Sequence, residues 1–295
     1  MKTLGIIIAG GKSTRLYPAT LAVTKQLLPI YDKPLIYYPL SVLLLAGIRN
    51  IALIVTPEEE NTFKRLFKDA WKEFGIVIRI LTQEKPVGIP DAFNIVHRNI
   101  PDVENKFTNT CLILGDNIYY GSTFGSLVKE SSSRTNKATI FAHRVADPER
   151  FGVVDIKEGK VLGIEEKPEN PKSNLAVTGL YFYPINVFHK VKQLIPSKRN
   201  ELEITDLNMM YLRESKLEVQ VMRRGMSWFD AGTPDSLLEA SHFVQTIQKN
   251  QNILVCSPHE IVYRNGWLSK KAIEYASFGY TKTEYYKKLM AIIEE

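Results

Sequence analysis

Cysteine is scarce in this chain: Cys111 and Cys256 are the only two among 295 residues, and they stand far apart. So few thiols argue against a disulfide scaffold or a cysteine-built zinc site, and they predict buried free thiols in a reducing compartment. Long hydrophobic runs are lacking as well. None approaches the roughly 20 apolar residues of a membrane span, and Met1-Lys2-Thr3 leads straight into a strand-like run with no signal-peptide pattern. The expectation is a cytoplasmic protein with no membrane partner. Dense blocks of Lys or Arg are missing too. The net charge is +6, yet the basic residues are dispersed and no nucleic-acid module is recognisable, so nucleic acid is not expected as a partner. The positive balance suits a pocket for several phosphates.

What is present reads as one ordinary globular chain, 44% hydrophobic and 24% charged, without internal repeats or a low-complexity linker. Apolar, β-rich runs at 4–9, 51–56, 77–81, 110–115 and 138–143 alternate with helical spacing at 36–46, 59–71, 91–99 and 124–133. That alternation predicts an α/β fold: βαβ units and a mainly parallel sheet covered on both faces. From about residue 150 the pattern shifts to short strands at 153–156, 161–165 and 177–183, which predict an antiparallel subdomain. Helices are expected at 186–194 and 204–213, and a strand at 218–222. Beyond Pro234 the chain turns helical, at 235–250, 258–265, 270–278 and 283–294. The resulting division is a core over 1–235, which changes character at about residue 150, and a helical extension over 236–295.

The first apolar run ends in Gly10-Gly11-Lys12-Ser13-Thr14-Arg15. Glycines let a backbone approach a ligand with no Cβ in the way, and successive N–H groups in such a turn make an anion-binding concavity. Neither familiar phosphate motif fits. Gly5 lies one position too far from Gly11-Lys12-Ser13 for a P-loop, and Lys12 occupies the second glycine position of G-x-G-x-x-G. A turn without a ligand would need none of Arg15, Lys25 and Lys33, which follow closely. In open α/β sheets ligands bind beyond the carboxyl ends of strands, and both this loop and Asp116 fall there.

The residues that follow carry a resemblance. Thr14-Arg15-Leu16-x-Pro18-x-Thr20, Lys25-Gln26-Leu27-Leu28-Pro29, Leu114-Gly115-Asp116-Asn117, Glu165-Glu166-Lys167-Pro168, Trp228-Phe229-Asp230-Ala231-Gly232 and Cys256-Ser257-Pro258-His259-Glu260 stand in one order along nearly the whole chain. The chain resembles the sugar-nucleotide pyrophosphorylases, most of all those that transfer thymidylate to glucose 1-phosphate. The resemblance implies a Rossmann-like nucleotidyltransferase fold and the reaction of dTTP with glucose 1-phosphate, giving dTDP-glucose and diphosphate with Mg²⁺, an opening step towards dTDP-rhamnose and other dTDP-deoxysugars. It implies Asp116 and Asp230 as metal ligands, Arg15 and Lys25 as triphosphate clamps, and Gly10, Gly11, Thr14, Gln83 and Gly88 as nucleotide contacts. Lys167 and Arg199 would hold the sugar phosphate; Gly152, Glu166, Val177 and Tyr181 would meet the sugar, so that the core would have a nucleotide side to about residue 150 and a sugar side over 151–235. It also implies a homotetramer and a regulatory site for a deoxythymidine-diphospho-sugar at Gly121, Arg224, Glu260, Ile261 and Arg264.

Several positions depart from the family pattern. Ser13 replaces a loop glycine and can still donate its N–H if its φ stays negative. The usual Gly-Leu-Ala-Gln-Ala reads Gly88-Ile89-Pro90-Asp91-Ala92, Asn200 replaces the glycine after Arg199, and Ser122 replaces the histidine often found after Tyr-Gly. These bear on substrate choice, rate and regulation rather than fold. They leave open another sugar 1-phosphate, UTP in place of dTTP, or a weakly active regulatory paralogue.

Overall fold

A computed structural model describes residues 2–11 and 13–295. Strand β1 (Thr3–Ile8) feeds the glycine loop; a small hairpin, β2 (Pro29–Ile30) with β3 (Lys33–Pro34), precedes helix α1 (Tyr37–Leu45). Then come β4 (Asn50–Val55), α2 (Glu60–Leu66), α3 (Ala70–Phe74), β5 (Val77–Thr82), α4 (Asp91–Asn99), α5 (Val103–Lys106) and β6 (Asn109–Leu114). The single helix expected over 59–71 is two short ones. The second part brings β7 (Asn117–Tyr120), α6 (Phe124–Ser133), β8 (Ala138–Arg144), β9 (Gly152–Lys157), β10 (Lys160–Glu166) and β11 (Leu175–Pro184). Helices α7 (Val187–Val191) and α8 (Ile204–Arg213) lead to β12 (Leu217–Val221) and β13 (Ser227–Asp230). The chain closes with α9 (Pro234–Gln251), α10 (Pro258–Arg264), α11 (Lys270–Ala276) and α12 (Glu284–Glu294).

Nine strands form one mixed sheet. It is parallel across β5-β4-β1-β6, then antiparallel at β11, which carries β9 and β10 on one edge and β8 on the other, with β12 parallel to β8. Both faces are covered, which is why the strands read as continuous apolar runs rather than alternating ones. Leu4 and Ile6 of β1 join one cluster with Phe93 and Val96 of α4 and Leu207 of α8, while Ile7 joins the other with Leu40 and Leu43 of α1. A Cβ on Gly5 would fall 2.8 Å from Leu43 Cδ1, so α1 lies directly on β1.

The antiparallel strands that follow residue 150 belong to this same sheet, because β11 is buried along its whole length and pairs with β6 through Leu180–Pro184. The wall on the sugar side is thereby rigidly continuous with the nucleotide side. An unexpected ribbon, β7 with β13, pairs Asn117 with Asp230 across the top of the sheet. Helix α9 seals it: Ala240 and Val244 pack on Ile118 and Ala231, and Thr233 with Ser236 closes a capping box over Pro234.

Candidate active site

The carboxyl ends of β1 and β6 set the floor of the cleft. Gly115 donates its N–H to Ile8 O at 2.8 Å, and a Cβ there would meet that oxygen at 2.6 Å, so only glycine lets the two strand ends close up beneath Asp116. Gly10 and Gly11 follow β1 on the same rim; Lys12 lies outside the described residues. Ser13 does not keep a negative φ. It sits at φ 46°, ψ 37°, the left-handed conformation a glycine would take freely, at a cost of about 1–2 kcal/mol for a residue with a Cβ. The strained turn leads into a short 3₁₀ turn over Thr14–Leu16, leaving Thr14 and Arg15 exposed towards the cleft mouth. The Arg15 guanidinium lies against Gly232, where a Cβ would come within 2.8 Å of Nη2.

Two carboxylates stand at the centre. The β7–β13 ribbon draws Asp230 beside Asp116, with Ala231 donating its N–H to Asp116 O at 3.0 Å. Lys25, buried, pairs with Asp116 Oδ2, and Asn117 Nδ2 donates to its Oδ1 at 2.9 Å. Burial pushes the Asp116 carboxyl up, but the Lys25 ammonium and the Asn117 amide outweigh it and hold the group below its ordinary value. Asp230 is raised by burial and then by the Asp116 charge, with Lys25 and Arg15 only partly offsetting them. It forms no ion pair among the described residues. A half-buried, proton-loving carboxylate next to an ionised one is an arrangement that a bound cation would relieve.

Asn117 is a residue that motif reading passed over. Almost wholly buried, its Oδ1 accepts from Trp228 Nε1 at 2.6 Å and from Gly179 N–H at 3.2 Å, tying β7, β13 and β11 together while its amide orients Asp116. Its place immediately after Asp116 was the only signal.

Cavities flank this centre. One, about 260 Å³, is lined by Gly11, Ser13, Thr20, Gln83 and Pro86, with the carboxylates of Glu58, Glu59 and Glu84 also at its wall. Gln83 Oε1 lies 3.7 Å from where a Cβ of Gly10 would stand. Gly88, expected beside the base, is pressed on the opposite wall: a Cβ would fall 2.1 Å from Leu202 O, and Leu202 donates its N–H to Val87 O at 2.8 Å. The 87–88 segment therefore bridges the nucleotide side to the loop before α8.

The other cavity, about 170 Å³, brings together Gly152, Glu166, Lys167, Val177, Tyr181 and Asp230. It also gathers Arg150, Thr205 and Trp228, which sequence reasoning missed because they come from separate elements. Glu166 Oε2 accepts from Thr205 Oγ1 at 2.6 Å. Lys167 has φ 45° and donates its N–H to Phe151 O at 3.0 Å, which turns its side chain out of the strand β10. Tyr181 is buried, and burial raises its phenol well above the ordinary value. Arg199 does not line the cavity: its guanidinium pairs with Glu203 at 2.8 Å and with Glu166 at 3.3 Å at the rim. A larger cavity, about 790 Å³, lies between α2, α3 and Tyr275 and Tyr280, and holds none of these residues.

The residues expected to regulate fall in two places. Gly121 packs on Met226, at the end of the ribbon that carries exposed Arg224. Glu260, Ile261 and Arg264 lie on α10, where Arg264 Nε donates to Glu260 Oε1 at 2.8 Å. Met226 and Ile261 belong to the same apolar cluster.

Two carboxylates beside an arginine and a lysine, set at the carboxyl ends of an α/β sheet between two cavities, fit a nucleotidyltransferase of the α/β class. The chain belongs to the nucleotidyl transferase family, whose model matches residues 4–247. It is 51% identical over 290 residues to the glucose-1-phosphate thymidylyltransferase of Neisseria gonorrhoeae, covering 98% of this chain and 99% of that one. Over 292 residues it is 50% identical to that of Neisseria meningitidis, covering 99% of each. A crystal structure from Bacillus anthracis, assigned as a glucose-1-phosphate thymidylyltransferase, superposes with a TM-score of 0.73 at 37% identity, covering 82% of this chain and 94% of that one.

Proposed function

We propose that this protein is a glucose-1-phosphate thymidylyltransferase, joining dTTP and α-D-glucose 1-phosphate to give dTDP-glucose and diphosphate. The observation that carries the reading is the juxtaposition of Arg15, Lys25, Asp116 and Asp230 between two cavities of unlike character. An oxygen of the sugar 1-phosphate attacks the α-phosphorus of the triphosphate; the bond to the β-phosphate bridging oxygen breaks, and diphosphate leaves with the electron pair. The nucleophile is already an anion at neutral pH, so no general base is needed. What the site supplies is position and charge.

Arg15 can bond two phosphate oxygens at once and stabilise charge on the leaving diphosphate. Lys25 serves both Asp116 and the phosphates, and Lys167, turned into the sugar-side cavity, takes the sugar phosphate. Arg199 would reach that phosphate only by leaving Glu166. Asp116 and Asp230 fit Mg²⁺: two oxygen donors, with no group of three or more ligating side chains among the described residues, suit an ion that keeps waters and takes phosphate oxygens. When bound, the ion supplies Lewis-acid polarisation of the phosphates. A homotetramer, a cytoplasmic location and a role before dTDP-rhamnose accompany this reading, as does regulation at Gly121, Arg224, Glu260, Ile261 and Arg264. Diphosphate release across dTTP, UTP and dCTP, each with several sugar 1-phosphates, is the direct test. The best rate is expected for dTTP with glucose 1-phosphate; no release from that pair would refute the assignment. Sedimentation tests the assembly, where a stable monomer would end that part. Titration with dTDP-rhamnose tests the second site.

A further inference from the structure

Asp91 stands where the family pattern has glutamine, as the first residue of α4, and its half-buried carboxylate is fully engaged. Gln83 Nε2 donates to Oδ2 at 3.0 Å and Asn94 Nδ2 to Oδ1 at 3.3 Å. The first turn of a helix favours a negative charge, and a carboxylate offers only acceptors. Gln83 therefore has one satisfied orientation, with Nε2 on Asp91 and Oε1 turned away. Its main chain is anchored too, because Gln83 N–H donates to Val55 O at 2.8 Å. The carbonyl oxygen is left on the Gly10 side, in the wall of the nucleotide-side cavity.

We propose that Asp91 is a positioning residue for base selection. By locking the Gln83 amide it presents an acceptor to the base edge, and so selects a pyrimidine bearing an imide N3–H, thymine or uracil, over cytosine. The proposal rests on the reading of this cavity as the site of a pyrimidine nucleoside triphosphate. Cytosine N3 is itself an acceptor and would face Gln83 Oε1 lone pair to lone pair. An unrestrained glutamine could adapt by turning its amide through half a revolution. Here that turn would set Oε1 against the Asp91 carboxylate, exchanging a charge-assisted hydrogen bond for repulsion. An amide at position 91 would impose no such choice, since it can meet either face of Gln83.

The test is kcat/KM for dTTP and for dCTP, each with glucose 1-phosphate, in the parent, Asp91→Asn, Asp91→Ala and Asp91→Glu. The ratio of two substrates on one enzyme cancels any loss of folded protein, which a merely structural role would produce. The dTTP:dCTP ratio is expected to fall on the order of 10–100-fold in the Asn and Ala variants and to stay near parental in the Glu variant. For a variant without turnover, the ratio of dTTP and dCTP dissociation constants by calorimetry reads the same quantity. An unchanged ratio in both the Asn and Ala variants overturns the proposal while leaving the function intact. A parent enzyme that does not use dTTP overturns the functional reading as well, and is seen before any variant is examined.

Discussion

Replacing Lys25 by methionine keeps most of the length of the side chain and removes the one cation that pairs with Asp116 among the described residues. The variant leaves two neighbouring buried carboxylates without their nearest counter-charge. Removing one partner of a buried pair costs about 3–5 kcal/mol. Lys25 and Asp116 retain 10% and 16% side-chain exposure, so water screens part of the loss and about 2–3 kcal/mol is expected near pH 8 by urea titration. The pH dependence separates this cause from a packing defect. In the parent, Asp116 is held below its ordinary value, so the stability it contributes is present above its unfolded pKa of about 3.9 and is lost as pH falls through the lower folded value. In the variant the sign reverses. Burial and Asp230 now raise Asp116 above about 3.9, so its charge destabilises at high pH and the penalty fades as pH falls through the raised folded value. The gap between parent and variant should therefore narrow from pH 8 to pH 5. Millimolar Mg²⁺ should narrow it further, by restoring positive charge between the carboxylates. A gap below about 0.5 kcal/mol, well under the cost of breaking a buried pair, would refute the charge argument. So would one that stays constant over that pH range.

Arg15→Ala is expected to lower kcat by on the order of 10²–10³ with a smaller effect on dTTP binding, because leaving-group charge is greatest in the transition state; a change in KM alone would make Arg15 a ground-state contact. Gly88→Ala forces a Cβ into the Leu202 main chain at φ 112° and should cost about 2–4 kcal/mol in strain and a lost hydrogen bond, with kcat/KM falling as the nucleotide and sugar walls part. Parental stability and rate in that variant would show that the contact is dispensable. Both cysteines should resist thiol reagents at pH 8 until the protein is unfolded, since burial raises Cys111 well above its ordinary value and pushes Cys256 up to about 12; rapid labelling of the native protein would contradict this.

Local features were legible in the sequence because they are local in the chain. The helices at Asp91–Asn99, Phe124–Ser133 and Ile204–Arg213 follow from periodicity within ten or so residues, and the strands ending at Ile8 and Leu114 follow from apolar runs that need burial on both faces. Arg15 and Asp116 could be singled out because glycine turns at strand ends are written next to them, and Lys25 because its motif resembles that of the family. What the sequence could not decide depends on contacts between distant segments. The ribbon that sets Trp228 opposite Tyr119 spans over a hundred residues, and four-residue strands have no local pattern strong enough to announce such pairing. That pairing brings Asp230 to Asp116 and Trp228 to Asn117, whose Oδ1 also accepts from Gly179 of β11. The left-handed turn at Ser13, the contact of Gly88 with Leu202 and the withdrawal of Arg199 to Glu203 likewise came from the tertiary structure. Ser13 is held about 1–2 kcal/mol above its local preference, Gly88 is met by the main chain of a residue more than a hundred positions away, and Arg199 is held by Glu166 from β10 as well as by Glu203 four residues on, contacts that no local preference encodes.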